Sequence, residues 1–350
     1  MADFTLSIFD TPRDQIQDIR DAVLATPFTN PELTSNHRVI DGISVEKEIP
    51  VFDRGFLMLG DGTECVTTTT DVTMPSVARK VWTPTELGYR LSFCSSDFNK
   101  FFSYMKAQGY NKLDLTQAQF WGWLADYIGE NHQQELHRVT WFDDTDAAAT
   151  TASPAGVINS ATKVPFYNQF DGLWKQIFTI NAANADTYVE VPANSASGQA
   201  LSAQAAYDML DAMYNAASIR LMADRSQLKF YVTDSVVRAF ESYLRSQAVN
   251  SSFELIQRTQ DGLAFSGIPL VTMPNWDVTI DNDMNVAGVK DKPHRALLTR
   301  PDNIPIGTET ESNLTEMTTF YDRYQKKAFI DVFFLFDAKV YLDNELVAAY

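Results

Sequence analysis

The stretch TQAQFWGWLADYIGENHQQELHRV, residues 116–139, constrains the fold more than any other part of the chain. Phe120, Leu124, Tyr127, Ile128, Leu136 and Val139 recur at helical spacing, which predicts one long amphipathic helix over about 116–140. Thr116 opens it with a capping box, in which its hydroxyl and Gln119 satisfy each other's orphan backbone donors. Some 24 residues at 1.5 Å rise make a rod on the order of 36 Å. The stretch KKAFIDVFFLFDAKVYLDNEL near the C-terminus reads as one long strand or two. There Ile330, Val332, Phe334, Phe336, Ala338, Val340 and Leu342 share one face, and Asp331, Asp337 and Lys339 the other. Leu124 and Ile128 are expected to be buried against these strands.

The second half of the helix contains HQQELH, residues 132–137, which invites a zinc reading. Metalloprotease histidines sit four apart on a helix so that both face the metal. His132 and His137 are five apart and point roughly 140° away from each other. Glu135 stands in the wrong place for either order of the motif. The other two histidines are His37 and His294. The stretch is therefore read as the polar, solvated part of the helix, with no zinc site.

The chain has 350 residues, 45% of them hydrophobic, enough to bury a sizeable core in one large or two interlocked domains. Its net charge of −17 excludes a generally basic nucleic-acid surface. The two cysteines, Cys65 and Cys94, form no CxxC pair, which suits a reducing cytoplasm. MADFTLSIFDTPRDQ carries acids where a signal peptide needs basic and then apolar residues, so none is expected. Runs such as VFFLF at 332–336 are too short to cross a bilayer.

Residues 1–37 read as an arm with little core of its own. Ile16, Ile19, Val23 and Leu24 lie on one helical face before TPFTNPELTSN breaks the pattern. Residues 38–94 read as strands around a Gly-Asp-Gly turn at 60–62, with CVTTTTDVT rich in β-branched residues but short of large apolar ones. An isolated hairpin of this kind is marginal in water, so it is expected to gain stability on another subunit. A helix is expected over SDFNKFFSYMKAQGY. Another begins near Ser202, with Leu210, Met213, Ala217 and Leu221 as its buried stripe. The strand LKFYV follows, then Asp234 as a cap for SVVRAFESYLRS, then paired strands in ELIQRTQDGLAFSGIPLVTMP. GLWKQIFTI is an apolar stretch.

No catalytic constellation emerges. There is no G-x-S-x-G elbow, P-loop or dinucleotide fingerprint. The acidic cluster Asp143, Asp144 and Asp146, and the stretch DNDMNVAG from Asp281, lack the glycine and glutamate of a calcium loop and read as turns. No catalytic, cofactor-binding or metal-binding residue is assigned, no cofactor is expected, and the chain is not expected to be an enzyme.

The order of elements resembles the major capsid protein of tailed bacteriophages, the Hong Kong 97-like fold shared with herpesvirus shells and encapsulins. FWGWLADYIGENHQQELHRVTWFDD resembles its spine helix and following turn, although relatives often have Gly where this chain has Asp143. AAYDMLDAMYNA and RLMADRSQLKFYVTDSVVRAFESYL resemble the elements that enter the axial domain, and GLAFSGIPLVTMPNWD a strand within it. HRALLTRPDNIPIG resembles a segment near that domain's end but lacks the family's Gly-Asp pair; FIDVFFLFDAKVYLDNELVAAY resembles the final peripheral strands.

The resemblance implies an α+β capsid fold: N-terminal arm 1–37, extended β-hairpin loop 38–94, peripheral domain 95–223 with the spine helix, axial domain 224–310, and return strands 311–350 of the peripheral domain. It implies self-assembly of pentamers and hexamers into an icosahedral shell, located in the virion capsid and built in the host bacterial cytoplasm. It also implies weak, sequence-independent contact with packaged double-stranded DNA, no membrane, and portal, scaffolding or decoration proteins as further partners. Some relatives crosslink a hairpin lysine; nothing local marks Lys80 as reactive. Some carry a long N-terminal scaffolding segment, for which the arm leaves no room. The alternatives are an encapsulin-type compartment holding enzyme cargo, and a soluble α+β enzyme.

Overall fold

The computed structural model describes residues 35–43, 45–52, 77–94, 117–149, 158–196, 198–248, 258–259, 262–309, 316–322, 324–325 and 327–350. Most of the expected arm, the Gly-Asp-Gly turn, CVTTTTDVT and the helix expected over SDFNKFFSYMKAQGY lie outside them.

In chain order the strands are β1 (Val39–Ile40), β2 (Lys47–Phe52), β3 (Val77–Trp82), β4 (Thr85–Cys94), β5 (Tyr188–Val189), β6 (Lys229–Val232), β7 (Arg258–Thr259), β8 (Gly262–Phe265), β9 (Ile268–Thr272), β10 (Asn285–Val286), β11 (Val289–Lys290), β12 (Ala296–Thr299), β13 (Ile306–Thr308), β14 (Glu316–Asp322), β15 (Lys327–Ala338) and β16 (Leu346–Ala349). The main helices are α1 (Gln117–Phe142), α2 (Leu173–Ala183), α3 (Ala203–Ala216), α4 (Asp234–Ala248) and α5 (Pro274–Asp283).

β15 is the axis of a five-stranded sheet. It pairs antiparallel with β4 along one edge, and with β13 and β14 along the other; β1 adds to β13 in parallel. Ile330, Val332, Phe334, Phe336 and Ala338 point inward, as their alternation predicts, and join Ile128, Leu136 and Val139 of α1 in one core cluster. Leu124 itself falls among α1 side chains outside the described set. Tyr127, expected on the apolar stripe, is exposed instead, because the covered face of α1 runs through Ile128, His132 and Leu136.

The second sheet has seven strands in the order β5-β16-β12-β6-β9-β8-β7. Its central strands are buried on both faces. Phe230, Val232, Ala296 and Leu298 pack against α3 and α4 with Met209, Leu210, Met213, Val236 and Phe240. Tyr231 and Leu297, one residue out of phase, face the first cluster, where Trp141, Trp174 and Trp276 meet with ring centroids 4.6–6.0 Å apart. Such two-sided burial gives a strand a continuous apolar run rather than alternation.

Several local readings find their physical counterpart. Ser202 accepts a hydrogen bond from Ala205 N and starts α3, which buries Leu210 and Met213; the stripe then breaks at Ala217, and Leu221 belongs to a separate short helix, Ile219–Ala223. The apolar stretch GLWKQIFTI is the helix α2. Asp234 is the first residue of α4 and pairs with Arg238 one turn on.

Two expectations are corrected, and two carboxylates prove buried. Residues 38–94 do not project as a whole: β1 and β4 are built into the five-stranded sheet, and Ile43, Trp82 and Leu87 are core residues of their own chain. Long-range pairing, invisible to local pattern, claims these strands. β16 lies not beside β15 but in the seven-stranded sheet, because the turn after Leu342 carries the chain across to β12, and α3 packs on the same sheet. Asp331 and Asp337 face away from the inner apolar set yet are buried. Arg90 grips Asp331 through two bonds of 2.6 and 2.7 Å, and Asp337 accepts from Thr83 N at 2.8 Å and sits by Lys339. Satisfied this way, a carboxylate leaves water without a prohibitive cost.

Candidate functional site

α1 carries the residues that the sequence marked as chemical, and the structure separates them. His132 faces the five-stranded sheet, its ring edge-on to Phe334 at 4.7 Å and 5.8 Å from Tyr89. His137 is buried on another side of the helix, within electrostatic reach of His37. This divergence is what a five-residue spacing on a helix of 3.6 residues per turn produces. Glu135 stays at the surface, bonded to Arg138 at 2.8 Å. Among the described residues no group of three His, Cys, Asp or Glu could hold a metal ion. The expectation that these histidines are solvated is wrong, however: both are almost fully buried, because sheet and loops cover α1 on more than one side. Burial pushes the His132 pKa down to about 4, so the ring is neutral.

The acidic turn after α1 is held by cations of the same chain. Asp143 is fully buried at the C-terminal end of the helix, 3.3 Å from Arg138 Nη1; burial pushes its pKa well up, against the opposing pull of Arg138. Asp144 and Asp146 share Lys175 at 2.7 and 2.8 Å. Gly172 is required here, since a Cβ would sit 3.0 Å from the Asp143 backbone. The DNDMNVAG stretch is the end of α5 and the β10–β11 hairpin, turning on Ala287 and Gly288 at positive φ, with Asp281 paired to Lys290. Lys80 donates to the Val340 carbonyl at 2.6 Å and pairs with Asp343, tethering the base of the β2–β3 hairpin.

Two surfaces remain unfinished. The first is a cleft of about 610 Å³ between α1, β4 and residues 163–169. Leu87, Leu136, Val139 and Phe334 line it, and Phe166 stands exposed at its rim. Two buried polar atoms on its wall, Tyr89 Oη and His132 Nε2, have no hydrogen-bond partner among the described residues. Leaving such atoms unpaired costs about 1–3 kcal/mol each. An apolar group with a polar tip would fill the cleft and relieve both.

The second surface is the outer face of the five-stranded sheet. Phe320 stacks on Phe329 at 5.1 Å, and the Arg90 guanidinium lies 5.7 Å from both rings while gripping Asp331. Phe333 lies over Gly88, where a Cβ would come within 2.4 Å of its ring. Phe320 and Phe333 remain 41% and 37% exposed, an aromatic excess for a lone sheet face. Nothing local in the sequence of β4 marks either of its faces as a contact surface.

No protein-family model matches the chain, and no curated protein does. Solved structures do. A chain of the satellite phage P4 procapsid, a particle that includes the size determination (Sid) protein, is similar with a TM-score of 0.50 at 10% identity, over 96% of this chain and 98% of that one. The mature capsid of bacteriophage PhiM1 gives a TM-score of 0.46 at 12% identity, over 91% and 86%. The SrpI encapsulin of Synechococcus elongatus gives 0.46 at 11%, over 92% and 87%. The latter two are too distant in geometry to argue from. At the first, the chain shares a mixed α and β fold with a phage procapsid chain along nearly its full length.

Proposed function

We propose that this chain is the major capsid protein of a tailed double-stranded DNA phage, a structural subunit with no enzymatic role that assembles into the icosahedral head. The observation that carries the reading is the end-to-end likeness of fold to a procapsid chain. The five-stranded sheet with α1 is the peripheral unit, α1 being its spine helix; the seven-stranded sheet with α3 and α4 is the axial unit. Residues 1–37 are the overlapping arm, and β2 paired with β3 is the described part of the hairpin loop.

That hairpin carries the apolar run Phe56–Leu57–Met58–Leu59. A heterologous contact between copies is the kind that closes into rings and shells. The −17 charge suits an inner wall that confines DNA without gripping it. Portal, scaffolding and decoration proteins are the further partners, and the virion capsid is its location after assembly in the host cytoplasm.

Negative-stain microscopy and light scattering of the purified chain test this: closed particles are expected. A stable monomer under every salt and pH condition refutes it. Particles that hold protein cargo instead of DNA would move the assignment to an encapsulin-type compartment. Deleting residues 62–75 is expected to leave a folded subunit that does not assemble.

A further inference from the structure

The residues that lead the chain into its described core are polar, and two of them, Asn36 and His37, are buried. Asn36 offers its carbonyl to Tyr231 Oη at 2.9 Å, and Lys229 Nζ lies on the Ser35 carbonyl. His37 is 1% exposed. Its Nδ1 meets the Ile304 carbonyl at 2.9 Å, which fixes the tautomer, since a carbonyl can only accept. The ring packs on Trp141 at 5.3 Å, and Nε2 has no hydrogen-bond partner among the described residues. Immediately downstream, the Arg38 carbonyl accepts from Ile306 N at 2.9 Å and β1 runs beside β13. His37 thus sits where the N-terminal segment meets α1, β6 and β13 together.

The groups facing this ring decide what a second proton would do. From α1 comes His137, from β6 comes Lys229, and both act against a positive charge on His37. Trp141 and Tyr231 are neutral. The loop before β13 contributes a carbonyl already engaged at Nδ1. Among the described residues no carboxylate acts on the ring. Among the described residues an imidazolium here would have no counter-charge and no acceptor for its new N–H, and such a group leaves for water sooner than it stays buried.

We propose that His37 is a proton-operated pin: when its Nε2 takes a proton from solvent, residues 35–40 withdraw from the groove between α1, β6 and β13 while both sheets stay folded. Burial, partly offset by the Ile304 bond, holds the pKa near 3 against an ordinary 6.5. The anchoring free energy is therefore complete above pH 6.5 and drains away as pH falls from 6.5 towards 3. The pin would free the segment leading back to residues 1–34, whatever that segment contacts, so it stands or falls apart from the shell reading.

Hydrogen–deuterium exchange of the full chain, corrected for intrinsic rates, is the test. Between pH 6.5 and pH 4.5, peptides spanning 35–43 should lose protection about tenfold per pH unit, the signature of one proton, while peptides from β6 and β12 keep theirs. His37→Gln can still donate to the Ile304 carbonyl but cannot charge, and should hold its protection at both pH values. Unchanged protection at 35–43, simultaneous loss in β6 and β12, or equal acid loss in His37→Gln would each overturn the pin. Should that variant not fold, the slope in the natural chain decides alone: zero, or two or more protons, refutes it.

Discussion

The two sheets are finished to different degrees. The seven-stranded sheet is sealed by its own chain, with α3 and α4 on one face and the tryptophan cluster on the other. The five-stranded sheet is covered by α1 on its inner face, and leaves Phe320, Phe333 and the Arg90–Asp331 pair at its outer one. Even the covered side keeps a cleft whose Tyr89 Oη and His132 Nε2 have no partner among the described residues. A protein that worked alone would have little reason to leave so much apolar and polar surface unmatched. On the proposed reading, the contrast separates stability, held by the sealed half, from association, held by the open one.

The contrast is broken most severely from the sealed side. Phe230→Ala empties a fully buried position beside Phe265 and should cost about 3–5 kcal/mol, read as a denaturation midpoint, with assembly lost because the subunit unfolds. Acid should act next, on the open half. His37 and His132 are held near 3 and 4 against 6.5 unfolded, so stability is complete above pH 6.5. It should fall by roughly 2 kcal/mol for each ring by pH 5, at about 1.36 kcal/mol per unit. Asp143 opposes this: burial raises its pKa, so the stability it forfeits at neutral pH is regained on acidification. Denaturation curves at pH 7.5 and 5 measure the net.

A smaller effect sharpens the boundary between the halves. Gly88→Ala places a Cβ 2.4 Å from the Phe333 ring and 2.9 Å from the Val332 carbonyl, and should cost about 1–3 kcal/mol. Smallest in stability is Phe320→Ser on the outer face, within about 0.5 kcal/mol of the natural chain. If the open face serves association, the same substitution should strongly reduce particle yield by light scattering; full yield would break the division of labour proposed here.

The elements legible in the sequence are those whose signal is local. α1 was expected over about 116–140 and runs from Gln117 to Phe142, because the apolar spacing persists along it. The inner face of β15 and the start of α3 near Ser202 were legible for the same reason. What was not legible depends on distant partners. His132 and His137 read as solvated because polarity was visible and the covering layers were not. The burial of Asp331 was not legible because Arg90, 241 positions away, does not advertise its pairing. Nor does alternation tell which sheet receives β16. The candidate surfaces were the least legible, since Tyr89, Phe166 and Phe320 differ from core aromatics only in lacking a cover.

The order in which strands join also has a consequence in time. β4 pairs only with β15 among the described strands, and Arg90 waits for Asp331 across 241 positions. β12 likewise gains its second neighbour when β16 follows. At a synthesis rate of about 5–20 residues per second, the gap amounts to roughly 10–50 s. Throughout that interval the open half has no central strand, and the Arg90–Asp331 pair that braces its outer face cannot form.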